Sequence, residues 1–307
     1  MAGRLIKSTK TAEPQRQAVA KSRFGFLSLG LKRKESIIPG FGLTLGGTVF
    51  FISVMILVPF GALLLRASEQ SWKTFAAAAF SNRALAALEL TFITALLGAL
   101  LNAVLGTLVA WMLVRVRFPG RGLADALIDL PFALPAAVGG MALTTVFGAN
   151  GPLGHALESI GITAVYSRLG VFIAVVFVGL PFVIRAVQPA IEALEPEQEE
   201  AALTLGARPW QSFRRVVLPQ LLPAVLAGFS LSLARGLGEY GAVIFISGNI
   251  PFKTEYASLL LAVKLDEYDY AGATAIATVL LVGSFALLLG VNLLQARLFP
   301  HLARGGE

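Results

Sequence analysis

Long apolar runs alternate along this chain with short polar, basic or glycine- and proline-rich segments. The runs cover residues 41–65, 90–114, about 123–147, 169–185, about 219–246 and 271–296. About twenty apolar residues in a helix reach across the hydrocarbon core of a bilayer. Lipid offers no partner to backbone N–H and C=O groups, so such runs form helices unless they close into a barrel. The apolar–polar alternation of barrel strands is missing here. The pattern therefore predicts an all-α, polytopic transmembrane bundle of six spans, with 169–185 the shortest. It divides the chain into a basic tail over 1–40, a first helix and its loop over 41–87, the remaining five spans over 88–297 and a short tail over 298–307.

Composition narrows the function classes. The chain is 56% hydrophobic and only 14% charged, against about 25% charged in soluble domains. Cysteine is absent, which excludes disulfides, thiolate metal sites and thiol nucleophiles. Two histidines, His155 and His301, are too few and too far apart for a zinc site. A net charge of +7 could suit nucleic acid or anionic lipid. The cations flank the apolar runs, so membrane lipid is the expected partner and nucleic acid is not. Taking alternate loops together with the N-terminal tail collects 18 Lys and Arg on one side and six on the other. By the positive-inside rule both termini lie in the cytoplasm of a bacterial inner membrane. The N-terminal tail lacks the short apolar core and small-residue cleavage site of a secretory signal, and reads as a cytoplasmic arm.

The segment at 195–219 reads EPEQEEAALTLGARPWQSFRRVVLP. Pro196 suits the first helical position, and Glu197, Glu199 and Glu200 complement the helix dipole. Gly206 supplies a left-handed stop after Leu205. Pro209 opens a second short helix to Val217, with Trp210, Phe213, Val216 and Val217 on an apolar face. Such a helix–turn–helix, with Ala201 and Ala202 on its first helix, fits a partner's groove. By these properties alone it could equally be an amphipathic loop on the membrane surface.

A second segment, 234–241 (ARGLGEYG), puts Arg235, Glu239 and three glycines inside the fifth span. Pro219 to Arg235 is about 24 Å of helix, at or beyond mid-depth. A charge there needs a partner, and Glu239 lies one turn away. Two readings stay open. The pair neutralises itself and locks the helix, or Arg235 and the exposed backbone of Gly238 and Gly241 meet an anionic substrate in the translocation path.

The pattern Glu200-Ala201-Ala202, Gly206, Val216, Leu218-Pro219 resembles the EAA signature of ABC importer permeases, with Val216 where isoleucine is usual. The resemblance implies a type-I permease fold and a cytoplasmic coupling loop, within 191–219, that docks on an ATPase. No G-x-x-x-x-G-K-[ST] phosphate loop occurs in the chain. ATP and magnesium are therefore expected on a separate polypeptide, with no cofactor bound here and no enzymatic role for this chain. Residues 235–277, above all GEYGAVIFISGNIP, resemble the sulfate/thiosulfate importer permeases, the T-type (also called U-type) subunit among them. That implies a heterodimer with a second permease subunit, two copies of the ATPase and a periplasmic sulfate-binding protein. Molybdate permeases, with a similar GEFGA-type segment, make molybdate or tungstate the alternative cargo.

Asp125 and Asp129 are expected at an interfacial helix start, where the dipole favours them, with a proton relay as the other reading. That relay is the basis of a rival class, an ion-gradient-driven transporter. Asn102 and Asn292 are expected to hydrogen-bond between helices. The acidic stretch from Asp266 to Asp269 reads as a solvated loop.

The charge bias predicts a topology. A reporter active only in the periplasm should give signal when fused after residue 80, 160 or 260, and none after 118, 205 or 305. A consistent reversal would overturn the orientation.

Overall fold

The computed structural model describes residues 41–298; the tail over 1–40 and residues 299–307 lie outside them. In chain order the helices are α1 (Phe41–Ser68), α2 (Trp72–Ala79), α3 (Asn82–Arg115), α4 (Arg121–Ile128), α5 (Leu130–Ala133), α6 (Ala136–Phe147) and α7 (Pro152–Glu158). They continue with α8 (Arg168–Glu192), α9 (Pro196–Thr204), α10 (Pro209–Ser212), α11 (Leu218–Leu237), α12 (Gly241–Ser247), α13 (Ala257–Asp266) and α14 (Tyr270–Leu298). Contacts separate a first unit ending at Met55, whose described part is the start of α1, from a second unit that begins at Ile56 and holds everything below.

Among the described residues five helices are long and apolar enough to cross a membrane: Gly42–Ser68, Asn82–Arg115, Arg168–Glu192, Pro209–Leu237 and Tyr270–Arg297. The third expected span, 123–147, is not one helix. It is interrupted at Asp129 and again at Leu134–Pro135, giving α4, α5 and α6. Pro135 lacks an N–H and pushes Leu134 into an extended conformation (φ −85°, ψ 139°). The fourth span runs on to Glu192, seven residues past the expected end at Arg185, with Pro181 and Pro189 inside it. The fifth breaks after Leu237 and resumes at Gly241 as α12.

The core is a three-helix junction of α3, α8 and α11. Small residues let these backbones approach, which replaces the hydrophobic driving force that lipid removes. A Cβ at Gly106 would stand 2.8 Å from the Val183 Cβ, and one at Gly228 2.8 Å from the Val183 Cα. At the centre, Asn102 is fully buried, and its Nδ2 donates to the Val176 carbonyl at 3.1 Å and to Ser232 Oγ at 3.0 Å. One amide thus holds all three helices, as expected of it. Asn292, expected to act likewise, is exposed.

Two further ties join distant segments. Arg83 at the start of α3 makes a bidentate pair with Glu255, Nε to Oε2 at 2.8 Å and Nη2 to Oε1 at 2.6 Å. The Glu255 side chain is buried, so the pair offsets a desolvation cost that neither residue could carry alone. Next to it, Thr91 Oγ1 accepts the Ala257 N–H at 2.9 Å.

The 266–269 stretch is more ordered than a solvated loop. Lys264 reaches Glu267 at 3.0 Å and Asp269 at 3.1 Å, and Asp269 Oδ1 accepts the Gly272 N–H at 2.8 Å, capping α14. The Gly272 N–H and the Lys264 ammonium hold the Asp269 carboxyl below the usual aspartate range. A depressed carboxylate pKa contributes stability above the unfolded value and loses it as pH falls through the folded one. Acidification through the carboxylate range should therefore lower the melting temperature of the detergent-purified protein, and Asp269→Asn should reduce that acid-dependent drop. An unchanged acid dependence in the variant would remove Asp269 from the account.

Candidate functional site

The 195–219 segment folds into two helices joined by a tight turn, as expected. Pro196 opens α9, and Glu197 and Glu199 fall in its first turn. The Gly206 N–H bonds the Leu203 carbonyl at 2.9 Å and the Ala207 N–H bonds the Ala202 carbonyl at 3.0 Å. This is a Schellman stop, and it requires the left-handed backbone of Gly206, φ +86°. Arg208 then caps α10, its N–H bonding Gln211 Oε1 at 2.9 Å.

The second helix does not end at Val217. It runs through a π-helical turn, Phe213–Val217, straight into α11. The wide turn lets Pro219 enter a continuous helix, because the ring clash with the preceding turn and the missing N–H are both absorbed there. The loop's second arm and the fifth span are therefore one rod from Pro209 to Leu237.

Side chains tie α9 to two spans. Arg115 at the end of α3 meets Glu199 at 2.7 Å, and Gln220 Nε2 on α11 donates to Gln198 Oε1 at 2.8 Å. Arg115 also stands 5.3 Å above the Trp111 ring, and Trp111 meets Phe213 edge-on. Val217, Phe213 and Leu221 join Val183, Ile184, Val187 and Ile191 of α8 in one apolar cluster. Glu200 and Ala201 remain exposed, Ala202 half-buried. Around the turn, Leu205 is 89% and Trp210 69% exposed. Ala202, Gly206 and Val216 help line a cleft of about 340 Å³ between the two arms. Leu218 is half-buried and Pro219 exposed. The turn thus carries an exposed apolar tip on a base fixed to three spans.

At the second candidate site Arg235 and Glu239 do meet, Nη1 to Oε2 at 2.6 Å. They do not share one helix. Gly238 lies in the break between α11 and α12, and Glu239 follows it. Glu239 Oε1 accepts the Ala242 N–H at 2.7 Å and so caps α12. The carbonyls freed by the break are also met: Tyr256 Oη donates to the Gly236 carbonyl at 2.9 Å, and Ser258 Oγ to the Glu239 carbonyl at 2.5 Å. Gly241 opens α12 so close to α6 that a Cβ would stand 2.7 Å from the Ala136 Cβ. Glu239 is fully buried and Arg235 about one-third exposed.

The sequence reading missed a third constellation. Arg185 lies within α8 rather than in a loop, and it binds both Asp125 and Asp129. Nε donates to Asp129 Oδ1 at 2.9 Å and Nη2 to Asp129 Oδ2 at 2.6 Å. Nη1 donates to Asp125 Oδ1 at 2.7 Å and Gln188 Oε1 at 2.8 Å, and Nη2 to the Asp125 carbonyl at 3.1 Å. All five guanidinium N–H groups are used. The two aspartates are held by an arginine rather than by a helix dipole, since Asp129 caps nothing with its side chain. Their i, i+4 spacing was the available signal, together with an arginine at the end of an apolar run.

Helices of membrane length, two interrupted spans and a protruding helix–turn–helix define the class of a multi-pass membrane permease. The chain belongs to the family described as the binding-protein-dependent transport system inner membrane component, whose model matches residues 102–304. It is 48% identical over 261 residues to the sulfate transport system permease protein CysT of Escherichia coli (strain K12), covering 85% of this chain and 94% of that protein. The protein of the same name from Synechocystis sp. is 46% identical over 248 residues, 81% of this chain and 87% of that one. The fold is shared with a bacterial ABC transporter that imports the acidic polysaccharide alginate, with a TM-score of 0.68 at 20% identity, covering 84% of this chain and 95% of that one.

The Arg185 cluster makes an ordered prediction. Arg185→Ala leaves two facing carboxylates and should destabilise most, by about 1–3 kcal/mol given the partial exposure of all three groups. Asp129→Asn loses a bidentate pair and should cost less. Asp125→Asn should cost least, because the Asp129 pair survives. Melting of the detergent-purified variants checks the order, and a larger loss in Asp125→Asn than in Arg185→Ala would refute it.

Proposed function

We propose that this chain carries sulfate, and thiosulfate with it, from periplasm to cytoplasm, and that residues 196–219 receive the ATPase that drives the transport. The chain is a pore subunit of an ABC importer and not itself an enzyme; ATP hydrolysis belongs to a partner. The observation that carries the sulfate reading is the 48% identity to a sulfate permease over most of both chains, within a family match that spans both the 196–219 turn and the α11–α12 break. The chemistry is compatible, since a tetrahedral oxyanion suits a path built of neutral dipoles and few charges, which binds without trapping a dianion.

In this reading a second permease subunit completes the pore, two copies of the ATPase grip the loops from the cytoplasm and a periplasmic sulfate-binding protein delivers the anion. Both termini and the α9–α10 turn face the cytoplasm, on the side of the basic excess. ATP and magnesium sit on the ATPase, and this chain holds no cofactor. Glu200, Ala201 and Ala202 present the short small-residue helix, Gly206 sets the turn, and Val216, Leu218 and Pro219 pass its movement into α11. Motion at the turn reaches the α11–α12 break along one rod, and reaches α3 through Arg115–Glu199. Alternating access then follows from the movement of packed helices about their junction.

Gly206→Asp tests the coupling. Nothing lies within 4 Å of the Cβ position, so the variant has room to fold and insert. Left-handed backbone costs a residue with a Cβ about 1–2 kcal/mol, and the acid points from the tip toward the partner. Co-purification with the ATPase and labelled sulfate uptake in whole cells should both fall at least about tenfold. Normal capture and uptake in a well-inserted variant would sink the coupling role. Uptake of molybdate but not sulfate by the wild-type complex would transfer the reading to that oxyanion.

A further inference from the structure

Two arginines inside the long helices are treated in opposite ways. Arg185 has an acceptor for each of its five N–H groups. Arg235 has a counter-charge but no hydrogen bond among the described residues: its 2.6 Å contact with Glu239 Oε2 lies outside hydrogen-bond geometry, and that oxygen is buried without a donor. A guanidinium pairs best with a carboxylate through parallel N–H···O bonds. Glu239 cannot turn to provide them, because its other oxygen is held by the Ala242 N–H at 2.7 Å. The carboxylate is fixed by α12, and the arginine is left neutralised but unsaturated.

The surroundings leave Arg235 open on one side. Leu231, Ala234, Gly238 and Tyr240 beside it are exposed, the first and last by 51% and 43%. A partly exposed cation in a membrane span does not face hydrocarbon; it faces a water-filled path or another subunit.

We propose that Arg235 is the group that meets the oxyanion in the translocation path, and that Glu239 is a built-in competing anion that keeps the binding weak. The inference rests on the oxyanion-importer reading. When a tetrahedral dianion arrives, the free N–H groups of Arg235 turn to its oxygens. Glu239 stays in place, held by the Ala242 N–H. As the dianion leaves, Glu239 takes the guanidinium back. No bond is made or broken and no proton is required. An arginine without this competitor would hold a divalent anion too tightly to release it.

Glu239→Gln is the informative variant, because a glutamine oxygen can still accept from Ala242 while the competing charge is gone. Radiolabelled sulfate binding would be measured on the purified complex without the binding protein, together with uptake into vesicles supplied with it. Glu239→Gln should bind sulfate about tenfold more tightly than wild type and import it more slowly. Arg235→Gln should bind none and import none while still co-purifying with the ATPase. The Arg235→Gln, Glu239→Gln double variant should insert and capture ATPase but stay inactive. Wild-type uptake in the double variant would overturn the proposal and leave a purely structural pair, as would unchanged sulfate affinity in a well-inserted Glu239→Gln complex. A wild-type complex that imports none of sulfate, thiosulfate and molybdate would instead refute the importer reading beneath it.

Discussion

A helix that breaks inside a bilayer frees backbone groups that hydrocarbon cannot satisfy, and this chain breaks two of its apolar spans. Each break is supplied from within. At the end of α11, Tyr256 and Ser258 donate to the Gly236 and Glu239 carbonyls, and Glu239 accepts from α12. At Asp129, where α4 gives way to α5, Arg185 reaches across from α8 to hold Asp125 and Asp129. Irregular backbone in a membrane is tolerated where it lines a cavity or lies buried in protein.

The three-helix junction makes those breaks affordable. Asn102 holds α3, α8 and α11 together, and Gly106 and Gly228 bring the backbones into contact around it. Because α10, the π turn and α11 are continuous, the apolar tip at Leu205 and Trp210 is rigidly connected to the same junction. No irregular linker separates the second arm of the turn from the closely packed helices of the junction.

Charge is used in three distinct ways along this route. Arg83–Glu255 and Arg185–Asp125–Asp129 consume their hydrogen bonds and join segments far apart in sequence. Arg115–Glu199 ties the exposed turn to a span. Arg235–Glu239 balances charge with no hydrogen bond between the partners. In a low-dielectric medium the first kind costs least to keep and the last is the most open to a competing ligand.

Most of the architecture was legible in the residues themselves. Apolar length marks candidate crossings, because the hydrocarbon core is about 30 Å thick. Gly206, two residues past the last turn of α9, marks its stop by its freedom to adopt positive φ. The four-residue spacing of Arg235 and Glu239 keeps them near each other, but the pair spans the break between α11 and α12, so the break and not a helical turn sets their contact. Other features were settled only by packing. Pro135 separates α5 from α6 rather than bending one helix, because whether a proline kinks or ends a helix depends on neighbours that re-satisfy the backbone. The π turn that makes one rod of 209–237 has no composition of its own. Arg185 looked like a loop cation because its partners lie 56 and 60 residues away, and only the tertiary fold brings α4 and α8 together. The difference between a saturated arginine and an unsaturated one is likewise a matter of angles and neighbours, which one-dimensional spacing does not encode.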